Sequence, residues 1–264
     1  MILSRRVSLG GIQLDEIDEA IVIRKVDTGV AHEAVQAANR MGGFGQRMTM
    51  QHWETLEVNV TFAIDIPKEN LARRREVFDA VMAWAKKKGW LQTNEQPGKQ
   101  MYAEKVVLPA AGDLREWTKE YTIIFRAYGV PFWQEETPAV LTVDSITSGT
   151  RAFEVKGLER TVANVTAKNI SGQTIKDITI TVGGNAFIFK NINLTASETL
   201  VITHTEDGLL KIRAEATSTS RSVYNLRTKE SADDFYVEPG PVAVQVSSTR
   251  AVKLTVEAAG RWAS

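Results

Sequence analysis

The chain contains no cysteine. That removes disulfides, thiolate metal sites and cysteine nucleophiles together, and it suits a protein made in a reducing cytoplasm. Histidine is nearly as scarce. His32, His52 and His204 stand far apart, without a His-x-x-x-His or His-x-x-Glu-His spacing, so a metal centre would have to be assembled by the fold. They read as surface or interface histidines. An excess of one charge is also missing, since 32 Lys and Arg balance 32 Asp and Glu. A general nucleic-acid binder carries a basic excess, so sequence-specific nucleic acid is not an expected partner. No stretch approaches the ~18 consecutive apolar residues of a membrane span. The opening MILSRRVSLGG has a basic pair but no apolar run long enough for a signal peptide. A soluble intracellular product is expected.

Catalytic signatures are absent as well. No Gly-x-Ser-x-Gly turn presents a serine nucleophile. Gly42-Gly43-Phe44-Gly45 lacks both the Gly-x-Gly-x-x-Gly spacing and a Walker lysine, and reads as a flexible contact loop. Paired carboxylates need only meet in space, and nothing in the sequence brings two together. No catalytic residue, metal ligand or cofactor is assigned, and the chain is not expected to be an enzyme.

What is present is a strand followed at once by a helix. Leu56, Val58, Val60, Phe62, Ile64 and Ile66 alternate with Glu57, Asn59, Thr61, Ala63 and Asp65, the period of a sheet with one dry face. Pro67 ends the ladder and suits the first turn of a helix. Leu71, Phe78, Val81, Met82 and Ala85 fall on one helical stripe, with Gly89 at the left-handed closing position. Arg73-Arg74-Arg75 and Lys86-Lys87-Lys88 bracket this helix. They read as solvated or ion-paired residues, with Arg74 at the edge of the stripe, pairing with an acid or reaching water along its stem.

The rest of the chain is β-patterned. Residues 20–26 form an apolar, β-branched run. Residues 27–53 look irregular. VAHEAVQAANRM offers a short helix, and GGFGQRMTMQHW is a glycine-rich loop with unusually large apolar side chains. Disordered loops avoid such residues, so Met41, Phe44, Met48, Met50 and Trp53 are expected to pack, on their own sheet or on a neighbouring subunit. QMYAEKVV reads as a strand, and in 113–128 Trp117, Tyr121, Ile123 and Phe125 share one side. The prolines and acids of 129–138 look like a seam. Beyond it come short, evenly spaced strands joined by turns such as Val182-Gly183-Gly184-Asn185 and Glu206-Asp207-Gly208, the signature of a β-sandwich or jelly roll. Asn59, Asn164, Asn169 and Asn193 head Asn-x-Ser/Thr triplets, read as chance in a Thr-rich chain. Phe187, Phe189 and Tyr224 are candidates for a sugar platform. The fold class is therefore mainly β with one prominent α-helix, in domains 1–136 and 137–264.

In order along the chain, RRVSLGGIQLD, GGFGQR leading into TLEVNVTFAI, KKKGWL, QPGKQMYAEKV, DFYVEPGPVAVQV and AVKLTVEAAGRW resemble the distal tail proteins of siphophages. The last two segments look like that family's closing hairpin. The resemblance implies an N-terminal tail-tube-like β-sandwich flanked by a helix and a C-terminal galectin-like β-sandwich. It implies a homo-hexameric ring in the tail tip of the virion, made in the host cytoplasm. Its partners would be the tail tube protein, the tail-tip hub protein, and a receptor-binding protein or host surface glycan. A carbohydrate-binding role for the second sandwich is the alternative. In a closed ring each interface joins two different patches, and Met41, Phe44, Met48, Met50 and Trp53 are the candidates for one of them.

Overall fold

The computed structural model describes residues 5–39, 46–112, 114, 119–206 and 208–264; for 35–39 and 46–51 it describes the backbone. Trp117, expected on the inner side of a strand, lies outside them. The described residues are mainly β, with one α-helix. The chain divides into two compact units, residues 1–133 with 263–264, and residues 134–262.

In the first unit the alternating segment becomes the strand Leu56–Ile64. It lies second in an antiparallel sheet ordered Ile21–Thr28, Leu56–Ile64, Glu120–Ala127, Lys105–Val107. Phe62 faces Tyr121, Val60 faces Ile123 and Val58 faces Phe125. All six are buried, because residues directly opposite share a face. The helix Leu71–Ala85 closes that face, with Phe78 5.0 Å from the Tyr121 ring and Trp84 5.8 Å from Phe125. A second set of strands runs Ile12–Gln13, Val7–Leu9, Gly89–Thr93, Lys99–Ala103. Trp84 Nε1 reaches it, donating to the Ile12 carbonyl at 3.1 Å.

Several local expectations need correction here. The helix starts at Asn70, whose side chain accepts from Arg73 N at 3.3 Å, as an N-cap does. Pro67 stays in the preceding turn, where its carbonyl accepts from Asn70 N. Gly89 does not close the helix, because it opens a strand and pairs with Ala103. Arg74 neither sits at the edge of the stripe nor reaches water: it is 1 % exposed, in the middle of a stripe completed by Val77, Phe78, Val81, Met82, Trp84 and Ala85. Of its neighbours, Arg73 pairs with Asp18 and Glu76, and Arg75 with Asp79. QMYAEKVV is two strands in two sheets. The chain turns from one to the other at Glu104, whose N–H donates to Arg126 O at 2.9 Å and whose carboxylate accepts from Tyr128 N at 3.0 Å.

The second unit is built on a ribbon of two long antiparallel strands, Ala139–Val155 and Gly240–Ala258. Ile178–Val182 pairs with the first part of Gly240–Ala258, and Thr161–Asn169 with the last part. The first of these carries Asn185–Phe189; the second carries Thr199–His204, Leu210–Glu215 and Ser220–Ser222. The ribbon is thus shared by two groups of strands, and register shifts on either side of Ile146 mark where it passes from one to the other. The expected closing hairpin is absent: 240–258 is one strand, and the polar Ser247-Ser248-Thr249-Arg250 sits in it. Polar residues signal a turn only where nothing pairs with them, and Ser247 and Ser248 face Ser148 and Ile178. The turn at 182–185 is as read: Gly183 and Gly184 have φ of 57° and 87°, and Val182 pairs with Asn185, the type I′ geometry that glycine favours.

One continuous core fills this unit, including Val165, Ile180, Phe187, Phe189, Ile202, Leu254 and Val256. Asn169 is a polar hub within it. It is 1 % exposed, and its amide donates to the carbonyls of Gln173, Leu194 and Thr195 at 2.7–3.0 Å.

Candidate assembly site

Residues 27–53 hold the largest departure from the sequence reading. Within VAHEAVQAANRM, Glu33–Asn39 is a strand and not a helix, and within GGFGQRMTMQHW, Gln46–Trp53 is a strand and not a loop. Glu33–Asn39 and Gln46–Trp53 are antiparallel strands of one hairpin, with Glu33 opposite Trp53 and Asn39 opposite Gln46. The register skips Thr49 between Met48 and Met50, a bulge in the second strand. Among the described residues this pair bonds to no other strand. The residues of 33–39 can be drawn on a helical wheel or a pleat, and the partner strand decides between them.

The root of the hairpin is fastened to the first unit. Gly29 N donates to Glu57 O at 2.9 Å, and a β-carbon on Gly29 would lie 2.3 Å from that oxygen, so only glycine allows the approach. Glu54 N donates to His32 O, and Ala31 N to Ala263 O, each at 2.8 Å. Trp53 meets buried Phe132 edge-on at 4.8 Å. Of the expected contact residues, Met41 and Phe44 lie outside the described residues. Met48 and Met50 stand opposite Ala37 and Gln36 on the hairpin. Trp53 is half-buried at its root.

The chemistry on offer elsewhere is structural. His204 is not a surface residue. Its side chain is 5 % exposed, with Nδ1 2.9 Å from Asn164 Oδ1 and Nε2 2.8 Å from Asp234 Oδ1. Both ring nitrogens are engaged, so neither is offered to a substrate. The partners lie 40 and 30 residues away in sequence, which is why no motif announced them. Asn164 and Asn169 thereby spend their amides inside the unit. Arg261 is packed beside this group, and burial pulls its pKa down to about 10 against the pull of Asp234. Phe187 and Phe189 are fully buried and form no sugar platform; Tyr224 is 45 % exposed beneath the Arg227 guanidinium. Among the described residues no three of His, Asp and Glu converge as metal ligands. A polar cleft of about 300 Å³ on the first unit is lined by Arg6, Ser8, Gln13, Gln92, Thr93 and Asn94. It offers amides and hydroxyls but no acid–base pair.

Neither a protein-family model nor a curated protein sequence matches the chain. Solved structures do. The Dit protein of phage SPP1, described as a paradigm of the hub adsorption apparatus in phages that infect Gram-positive bacteria, superposes with a TM-score of 0.62 at 12 % identity, covering 97 % of this chain and 98 % of that one. A chain of the phage P2 baseplate, in its activated conformation with calcium, gives 0.50 at 11 % identity over 97 % and 98 %. The likeness is one of fold, and it runs through both units.

Proposed function

We propose that this chain is a distal tail protein of a siphophage, a structural and non-enzymatic part of the tail tip. Six copies form a ring that joins the tail tube to the tail-tip hub and the receptor-binding apparatus, with a tail-tube-like first domain and a galectin-like second one. It is made in the host cytoplasm and resides in the virion. The observation that carries this reading is the end-to-end fold match with the SPP1 Dit protein, 97 % of one chain against 98 % of the other. A shared architecture over both domains in sequence order is hard to reach by chance. The hairpin 33–53 supports it, because a two-stranded sheet is marginal alone in water and a neighbouring subunit is a natural cover.

Light scattering on the intact chain tests the ring. A mass six times the 29.2-kDa protomer, alone or after mixing with its tail-hub partner, is expected. A chain that stays monomeric under both conditions refutes it. The double variant Phe44→Asp, Met48→Asp then tests the hairpin: assembly should be lost with the protomer still folded, and unaltered assembly removes these residues from the interface. The carbohydrate-binding alternative has lost Phe187 and Phe189 to the core and is not pursued.

A further inference from the structure

The second unit carries a long open sheet edge. Ala139–Val155, 17 residues, pairs only with Gly240–Ala258 among the described residues, so one side of its backbone meets no strand. Exposed edges template further pairing, and proteins blunt them with charges and bulges. The 144–155 part is blunted in just that way. It holds Asp144 ion-paired to Lys253, the register shifts beside Ile146, and the charged Arg151 and Glu154. The 139–143 part is not. It reads Ala-Val-Leu-Thr-Val, regularly paired with 254–258 and without a charge, and Val140 is 53 % exposed. A bare, regular, β-branched edge is a place where another strand adds.

The same chain also has an unused strand of matching kind. In the hairpin of the first unit, Gln46–Trp53 carries the bulge at Thr49, which spoils it as an outer edge. Glu33–Asn39 has none on its own side, and 34–38 reads Ala-Val-Gln-Ala-Ala, again without a charge. A closed ring needs two different surfaces that complete each other on successive copies. Resting on the ring reading above, we infer that residues 34–38 of one copy add as a strand to residues 139–143 of the next. The occupant of the edge is a second copy of this chain, and its hairpin becomes part of a larger sheet instead of standing alone.

The absence of cysteine makes the contact easy to trap. Ala34→Cys, Gln36→Cys or Ala38→Cys is combined in turn with Val140→Cys or Thr142→Cys, both exposed positions, and the assembled full-length protein is oxidised. Across an antiparallel pair the β-carbons lie about 4.5–5.5 Å apart, so some of these pairs close with small adjustment. The expected result is a non-reducing ladder from dimer to hexamer for one or two combinations, with the single-cysteine variants remaining protomers. A wild-type chain that never assembles overturns the ring and this contact with it. A wild-type ring in which no combination cross-links overturns the contact alone. A disulfide formed within one protomer also overturns it, by showing that the edge is covered in cis.

Discussion

The two units are built from the same β-rich composition, yet they finish their surfaces differently. In the second, the ribbon of 139–155 and 240–258 gathers both groups of strands around one core, and apolar residues from Ile146 to Ala258 are buried together. In the first, a helix covers the sheet formed around Leu56–Ile64, and among the described residues the strand pair Glu33–Asn39 and Gln46–Trp53 bonds to no other strand. The second unit packs its strands around a single core. The first keeps a two-stranded element apart from its other sheets among the described residues.

The largest test of that contrast is a charge placed at the centre of the first unit. Val60 is fully buried between Val26 and Ile123. Val60→Asp loses its burial and strands a carboxylate, at a cost of about 4 kcal/mol or more. Calorimetry should show the transition of the first unit abolished and that of the second retained. Loss of both would mean that the units fold as one.

A smaller effect is expected from the polar hub of the second unit. Asn169→Ala removes the side-chain donor to the carbonyls of Gln173, Leu194 and Thr195, which keep only Ser171 Oγ, Ile175 N and Glu198 N, at a cost of about 2–3 kcal/mol. Urea unfolding should shift for the second unit only. An unshifted midpoint would show that water replaces the amide and that the core is less closed than its burial indicates.

The smallest effect depends on pH. Arg221 donates to both Glu198 oxygens, at 2.8 and 3.2 Å, and Thr195 N donates at 2.8 Å. These bonds, led by the guanidinium, lower the Glu198 pKa from the usual 4.5 to about 2 despite burial. The folded value lies below the unfolded one, so the stabilisation is present above about pH 4.5 and disappears as pH falls towards about 2. Because the Arg221 side chain is 41 % exposed, screening holds it to on the order of 1–2 kcal/mol. Acid titration of the second unit should show this loss, and Glu198→Gln should flatten it. An unchanged acid slope would assign the acid sensitivity to other carboxylates.

Much of the fold was legible locally. The alternation from Leu56 to Ile64 and the glycines at 183–184 each specify their own backbone within a few residues and stand as read, as do Phe78, Val81, Met82 and Ala85 of the apolar stripe, to which Arg74, Val77 and Trp84 are added. The misreadings share a different cause. Arg74 reads as an edge residue that pairs with an acid or reaches water, because a window of sequence shows a charge and not its burial in the fold. The 240–258 strand was split at a polar run, because the strands that pair with that run are many residues away. Of the contact residues, Met48 and Met50 were placed in a loop that is a strand.

By itself the sequence settled what each short segment prefers: a mainly β chain, one helix, and the absence of recognisable catalytic spacings. Side-chain period and turn chemistry act between near neighbours, so they are written into the order of residues. Which strands meet was decided only in three dimensions. The joining of Asn164, His204 and Asp234, the change of sheet at Glu104 and the pairing of 33–39 with 46–53 all depend on contacts that no local window contains, because a strand's backbone bonds are satisfied by a partner elsewhere in the chain.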